Sequence, residues 1–413
     1  MKHLLSRKKD IRNLLSLSAI QGANALFPIL IFPYLYISLG SDAYSKIVVA
    51  EVIAFYLLII SLYSFDVIGI KDLLEREKES KIGLASYFWN VFHSRVVLFL
   101  SFSMIALATV FTFFESYLLY LLAWLPFPLG MVLQNNYYFQ AMENNHILAY
   151  FVVFFRVVSA VGIYVFSGEM SNPVALVLAV SVSFLLSGLA SIIYVLVIEK
   201  IEYQAPSFRK IGESILSGRV VFLGGASVMM FRGSNTLILA FASVDPHAIS
   251  LYSLAEKFIK MLQAVIRPLN QLYFPKTIRQ LADVSNRRDA LKKIFFNTKL
   301  QLYISLGLAL IFVTAVYFDA NHLHAFFNPD LLLLISIMTG AVVFGVANYM
   351  LGTVGLVAMR GEKYYTSTLA SVGAVSVIAC YFLGVFYQDV GAALAYVGSE
   401  LALLILFLKY YRE

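Results

Sequence analysis

Five polar side chains recur along one side of an otherwise apolar stretch, YSLAEKFIKMLQAVIRPLNQLYF at residues 252–274. At about 100° per residue, Glu256, Lys260, Gln263, Arg267 and Gln271 fall within one narrow sector of a helix. Phe258, Met261, Leu262, Val265, Leu269 and Leu272 occupy the opposite sector. Ammonium and guanidinium groups in that register attract anions, and Arg can grip a phosphate through two parallel hydrogen bonds. The stretch is also long enough to cross a bilayer, where each Arg or Lys costs about 2.5–3.5 kcal/mol on insertion scales. Charge carried at that cost points to a hydrated path lined for a polar cargo.

The same kind of charge recurs elsewhere. Arg95, Arg156, Arg219, Arg232 and Lys257 join Lys260 and Arg267 within apolar sequence, against the acids Glu51, Asp66, Glu256 and Glu400. All seven bases facing lipid would cost about 20 kcal/mol, more than the net stability of about 5–15 kcal/mol typical of a fold. Arg95, Arg219 and Arg267 lie near the cytoplasmic ends of their spans, where long side chains can snorkel to the headgroups. Arg156, Arg232, Lys257 and Lys260 lack that recourse. Interhelical ion pairs account for part of the set, and Glu256 with Lys260 forms an i,i+4 pair. Four acids cannot neutralise seven bases, so the expectation is a hydrated cationic cavity that selects an anion. The seven bases are its candidate binding residues, with Gln263 and Asn24 supplying amides. Asn24 belongs to a polar stripe with Asn13, Ser16 and Gln21, followed by Pro28 and Pro33, which permit bending. Glu51, Asp66, Glu256 and Glu400 are candidates for coupling a proton or sodium ion.

These residues sit in a strongly apolar chain: 60% hydrophobic and 13% charged, with a mean hydropathy of +0.80, where soluble domains are about 45–50% apolar and about 25% charged. Apolar runs of about 20 residues start near Leu14, Tyr44, Ser86, Tyr117, Ile147, Val174, Ile215, Ser250, Phe295, Leu331, Tyr364 and Gly391. The pattern predicts an all-α integral membrane protein of twelve transmembrane helices. A polar cytoplasmic linker at 199–214, containing Pro206, divides it into six-helix bundles at 1–198 and 215–413. Ala50-Glu51 and Ala255-Glu256 lie 205 residues apart, an offset that also sets Asp66 on Gln271 and suggests parallel repeats around a cavity.

Lys and Arg collect on one side. The N-terminus carries Lys2, Arg7, Lys8, Lys9 and Arg12; later loops on that side add Lys71, Arg76, Lys78, Lys81, Lys200, Arg209, Lys210 and Lys276 to Lys299, then Arg360, Lys363, Lys409 and Arg412. The opposite loops, around Gly40, Glu115, Glu169, Asp245, Asn321 and Asp389, hold almost none, Lys46 at a span edge excepted. The bias predicts that both termini are cytoplasmic. The lead-in MKHLLSRKKDIRN is expected to be basic and uncleaved. The net charge of +7 lies at membrane edges or inside spans, which excludes a nucleic-acid partner. The single Cys380 cannot form an intrachain disulfide.

No catalytic constellation, cofactor or metal site is expected. There is no GxxxxGK[ST] nucleotide loop, His322 and His324 in NHLH lack a third ligand, and KDLLEREKESK (71–81) suits a solvated helix. The outer loops, the longest at about 319–330, are too short for a membrane glycosyltransferase or polymerase that works on the outer face.

Four stretches carry a family pattern: Asn13-Leu14-Leu15 with Asn24, Pro28 and FPYLYISLGSDAYSKI (Phe32–Ile47); NNYYFQAMENNHILAYFVVFFR (Asn135–Arg156); ILAFASVDPHAISLYSLAEKF (Ile238–Phe258); and IRPLNQLYFPK (Ile266–Lys276). In these the chain resembles the Wzx-type O-antigen or repeat-unit flippases. They form the polysaccharide-transport branch of the superfamily that also holds multidrug/toxin extrusion transporters and lipid II flippases. It departs from them at Tyr63-Ser64-Phe65-Asp66, where Tyr-Gly-Phe is usual, and at Tyr137 or Tyr138, where a Trp is common. The resemblance implies a lipopolysaccharide- or capsule-biosynthesis protein of the bacterial cytoplasmic (inner) membrane. Its cargo would be an undecaprenyl-pyrophosphate-linked oligosaccharide, flipped by alternating access of two six-helix bundles without ATP. Implied partners are that lipid-linked oligosaccharide, membrane lipids, and a polysaccharide polymerase with its chain-length regulator. An exporter of another substrate in the same superfamily, and a non-transporting scaffold, are the alternatives; the cationic surplus disfavours an exporter of cations.

Overall fold

The computed structural model describes residues 2–166, 172–205, 207–281, 284, 286–323 and 327–413. Among these the regular structure is entirely helical. Among the described residues, eight helices are long and apolar enough to cross a membrane, and a bent pair, Phe208–Arg219 with Val221–Met229, passes the same test together. Backbone groups in hydrocarbon must be satisfied within the segment, which is why apolar runs of this length become helices. Large apolar side chains cover the outside: Met104, Phe113, Ile311 and Phe386 are at least 70% exposed. A surface of that kind is stable against lipid and not against water. This is a multi-pass membrane protein.

Contacts divide the chain into an N-terminal unit, Met1–Leu223, and a C-terminal unit, Gly224–Glu413. The division falls inside a helix, beyond the 199–214 linker.

The N-terminal unit opens with α1 (Lys2–Leu62), interrupted at Gly40, whose φ of 75° and ψ of 172° only glycine adopts freely. Then come α2 (Phe65–Glu79) and α3 (Lys81–Phe113). A broken segment follows, of α4 (Leu118–Trp124), α5 (Pro126–Gln134) and α6 (Asn136–Ala141). The unit continues through α7 (Asn145–Phe166), α8 (Pro173–Val197) and the start of α9 (Phe208–Arg232). α5 and α8 cross at Gly130 and Gly188, where a Cβ on either would strike the backbone of the other helix. Trp124 Nε1 ties α4 to α1 by donating to the Ile47 carbonyl at 3.0 Å.

The C-terminal unit runs through α10 (Asn235–Phe241), α11 (Pro246–Leu281), α12 (Arg287–Phe318), α13 (Pro329–Met338) and α14 (Gly340–Asn348). A wider π-helical stretch, Tyr349–Leu356, leads to α15 (Glu362–Arg412), interrupted at Gln388 with a positive φ of 50°. Gly352 and Gly355 let Phe407, Tyr365 and Tyr411 approach the π stretch closely, and Tyr411 Oη donates to the Leu351 carbonyl at 2.8 Å. α11 is 36 residues long yet is absent from the eight apolar helices, because its polar stripe lowers its hydropathy.

Candidate functional site

Most of the charged candidates fall into four clusters, two in each unit, and Arg219 and Glu51 lie outside them. Phe65, Phe88, Tyr137 and Tyr138 pack a buried aromatic cluster between α2, α3 and α6. Arg95 of α3 is fully buried beside it, its Nη2 donating to Asp66 Oδ1 at 2.6 Å and its guanidinium 4.7 Å from the Tyr137 ring centroid. The expected snorkelling of Arg95 does not occur, because Asp66 and the Tyr137 face hold the guanidinium inside the helix packing. Its Nε and Nη1 have no hydrogen-bond partner among the described residues.

Arg156 of α7 is 2% exposed. Its Nη1 donates to Ser183 Oγ of α8 at 2.8 Å, and the guanidinium lies 3.2 Å from the Phe184 centroid and 5.5 Å from that of Phe27. The Gly130–Gly188 crossing lets the α8 backbone at Phe184 sit against α5, so the glycines set the platform on which this cation rests. No carboxylate pairs with it among the described residues, and its Nε and Nη2 are buried without partners. Cation–π contact is worth about 2 kcal/mol or more when desolvated, well short of the cost of an isolated buried charge.

In the C-terminal unit, Arg232 Nε donates to Glu400 Oε1 at 2.7 Å. Asn348 Nδ2 donates to the other carboxylate oxygen at 2.7 Å and to the Glu400 carbonyl at 2.8 Å. Glu400 is fully buried, while the Arg232 side chain keeps 36% exposure and lines a small cavity of about 40 Å³ with Tyr349, Thr353 and Tyr365.

On α11, Lys260 Nζ lies 3.1 Å from Glu256 Oε1, the buried carboxylate held beneath the exposed ammonium. Gln263 Nε2 donates to the Ala341 carbonyl at 3.2 Å, so this amide braces α11 against α14. Arg267 is exposed. Lys257 is half-buried. Phe258, Ile259, Leu262 and Ile266 are buried, so the helix packs its apolar side inward and turns Lys260 and Arg267 outward. Val265 departs from that division, being 54% exposed although it falls in the apolar sector.

The remaining candidates stand apart. Arg219 is exposed on the N-terminal half of α9. Glu51 is half-buried on α1, and Asn24, also half-buried, has a buried Oδ1 without a hydrogen-bond partner among the described residues. Glu169, Pro206 and His324 lie outside the described residues, as do the side chains of Gln271, Lys2, Arg7, Lys8, Lys9, Lys71, Lys78 and Lys276. Asn348, Ser183 and the Phe184 ring lie outside the residues expected from the sequence, and Tyr137 enters there only as a departure from a family Trp. Asn348 was the discoverable one, as a lone amide inside GAVVFGVANYM.

Residues 11–281 match the family described as polysaccharide biosynthesis protein. A curated relative from Escherichia coli (strain K12), named "Putative O-antigen transporter", is 22% identical over 97% of this chain and 96% of its own length. Among solved structures, an inward-facing multidrug resistance MATE family transporter of the MOP superfamily superposes with a TM-score of 0.67 at 12% identity, covering 94% of this chain and 93% of that one. A MOP superfamily transporter from Pyrococcus furiosus, described as having a binding pocket of reversed polarity, gives 0.56 at 13% identity over 98% and 94% of the two chains. With a match spanning well over half its length, a chain of this MATE-like fold belongs to the polysaccharide biosynthesis protein family.

Proposed function

We propose that the protein is a flippase that moves an undecaprenyl-pyrophosphate-linked oligosaccharide, an O-antigen or capsular repeat unit, across the bacterial inner membrane. The observation that carries this reading is the near full-length similarity to an E. coli protein named for O-antigen transport, in a chain whose intramembrane charge is mainly positive. In this reading the helical segments make twelve crossings in two six-helix bundles, with both termini cytoplasmic. Arg267, Lys260 and the exposed edge of Arg232 meet the pyrophosphate in a cationic cavity; Lys257 and Gln263 lie beside them. Arg95 and Arg156, buried here, and Arg219 and Asn24 join as the bundles change their access, while the lipid tail stays in the bilayer. Glu51, Asp66, Glu256 and Glu400 are the candidates for proton or sodium coupling. A polymerase and a chain-length regulator would receive the flipped unit. A MATE-like fold also suits export of other solutes, but a cationic drug would meet the wrong charge.

The test is genetic. Deleting the gene should make lipid-linked repeat units accumulate on the cytoplasmic leaflet and abolish surface polysaccharide. Complementation with Arg267→Glu or Lys260→Glu should restore little. A lost charged hydrogen bond of about 1.5–3 kcal/mol corresponds to roughly 10–100-fold in affinity. Normal surface polysaccharide in the deletion strain, without accumulation, would overturn the flippase reading.

A further inference from the structure

Away from these charges, the N-terminal unit holds an open polar cleft. A cavity of about 460 Å³ lies where the end of α2, the first three turns of α3 and the start of α9 meet. Small-molecule sites commonly occupy about 300–1,000 Å³. Two cations, Arg76 and Lys210, line it together with the carboxylate of Glu213, the hydroxyls of Ser86 and Ser217, and Asn90.

The lining is organised. Asn90 Nδ2 donates to Ser214 Oγ at 2.6 Å and thereby ties α3 to α9. The same amide's Oδ1 is buried and has no hydrogen-bond partner among the described residues. Lys210 Nζ reaches Ser86 Oγ only at 3.5 Å, the outer limit of a hydrogen bond, and its ammonium makes no ion pair among the described residues. The negative charge of Glu213 is answered by Arg209 Nε at 2.9 Å, so the Lys210 ammonium is left as a positive charge for a ligand to meet. A bare anion would leave the Asn90 oxygen unsatisfied and would face the Glu213 carboxylate. A ligand with one anionic group and several hydroxyls meets both requirements, since sugar-type hydroxyls donate to amide and carboxylate oxygens.

We propose that this cavity binds a phosphate ester carrying a hydroxylated group, its phosphate between Arg76 and Lys210 and its hydroxyls on Asn90 Oδ1 and Glu213. A soluble sugar phosphate and a glycerol-type lipid headgroup share that chemistry. The site is distinct from the intramembrane charges of the proposed flippase path, and its test does not depend on transport.

Ser217→Cys places a reporter in the lining, and the native Cys380 is buried. In the full chain in detergent, glucose 1-phosphate at about four times its dissociation constant should slow maleimide labelling of that cysteine about fivefold. Inorganic phosphate at equal concentration should slow it far less. The lipid arm uses nanodiscs in which phosphatidylglycerol replaces phosphatidylcholine. Protection in either arm, lost on adding Lys210→Glu and absent at a control Thr366→Cys on α15, supports the site and identifies the source. Three results overturn the proposal: no protection in both arms, equal protection by inorganic phosphate, or protection that survives Lys210→Glu or appears equally at the control. Calorimetric titration of the unsubstituted chain with both probes reads the same occupancy should the cysteine variant fail to fold.

Discussion

Arg156 shows what a guanidinium inside an apolar helix bundle costs when no carboxylate meets it. Ser183 and two aromatic faces supply its contacts, and two of its nitrogens go unsatisfied. Replacing a buried charge by an apolar residue of similar volume is often neutral or stabilising by about 1–4 kcal/mol. Arg156→Met should therefore unfold in detergent at an equal or higher temperature than the parent chain. Surface polysaccharide should nonetheless fall, because a charge retained at this cost is retained for use. Unchanged polysaccharide would assign Arg156 a packing role. Glu400 is the opposite case. It is fully buried and accepts hydrogen bonds from both Arg232 and Asn348, so Glu400→Leu leaves the Arg232 charge without its partner. Breaking a fully buried pair costs about 3–5 kcal/mol, and because Arg232 keeps 36% exposure the loss here should be smaller, read as a lower thermal midpoint. Adding Arg232→Met should recover part of the stability and none of the transport.

Among the elements, the crossing of α5 and α8 decides whether the N-terminal unit can form. Gly130 and Gly188 face each other with no room for a Cβ, the close approach that small residues permit between membrane helices. Gly188→Val should cost about 1–3 kcal/mol or more through overpacking, seen as lost monodisperse protein on size exclusion. A surface change such as Ser367→Ala on α15 should leave the yield unchanged. α11 carries its information in a local pattern. Lys260 pairs with Glu256 one turn away, and the periodicity of YSLAEKFIKMLQAVIR was enough to place both on one side. Arg95 with Asp66, and Arg232 with Glu400, are separated by 29 and 168 residues. Nothing local encodes those pairings, since a side chain's partner across helices depends on which faces pack. The α11 apolar sector was legible at Phe258 and Leu262 and not at Val265, whose exposure depends on how far the neighbouring helices extend.

For the whole molecule, the orientation expected from the basic loops can be measured. With both termini and the α2–α3 connection cytoplasmic, Asn321→Cys should react with an impermeant maleimide added to intact cells after outer-membrane permeabilisation. A cysteine at Ser80 or at Glu413 should react only once the inner membrane is opened. Labelling of Glu413→Cys from outside with Ser80→Cys still protected would break the twelve-crossing arrangement, since an odd number of crossings would then separate the two positions. The two long interrupted helices make this a direct test. α1 and α15 span 61 and 51 residues, and at 1.5 Å per residue either would exceed a hydrocarbon core of about 30 Å more than twice over if straight.

The sequence by itself determined that the chain lives in a membrane, that it is helical, where the polar stripe of α11 runs, and which family it resembles. All of these rest on composition, local periodicity and short motifs. Tertiary structure alone decided the fate of each charge: that Arg95 is sealed against Asp66 and Tyr137, that Arg156 rests on an aromatic platform raised by two glycines, and that Asn348 completes the hold on Glu400. It also decided that Lys260 and Arg267 remain outward and that Arg76, Asn90 and Lys210 converge on one cavity. The physical reason is common to them. In low dielectric the energy of a charge is set by partners within a few ångströms, and those partners come from segments that only helix packing brings together.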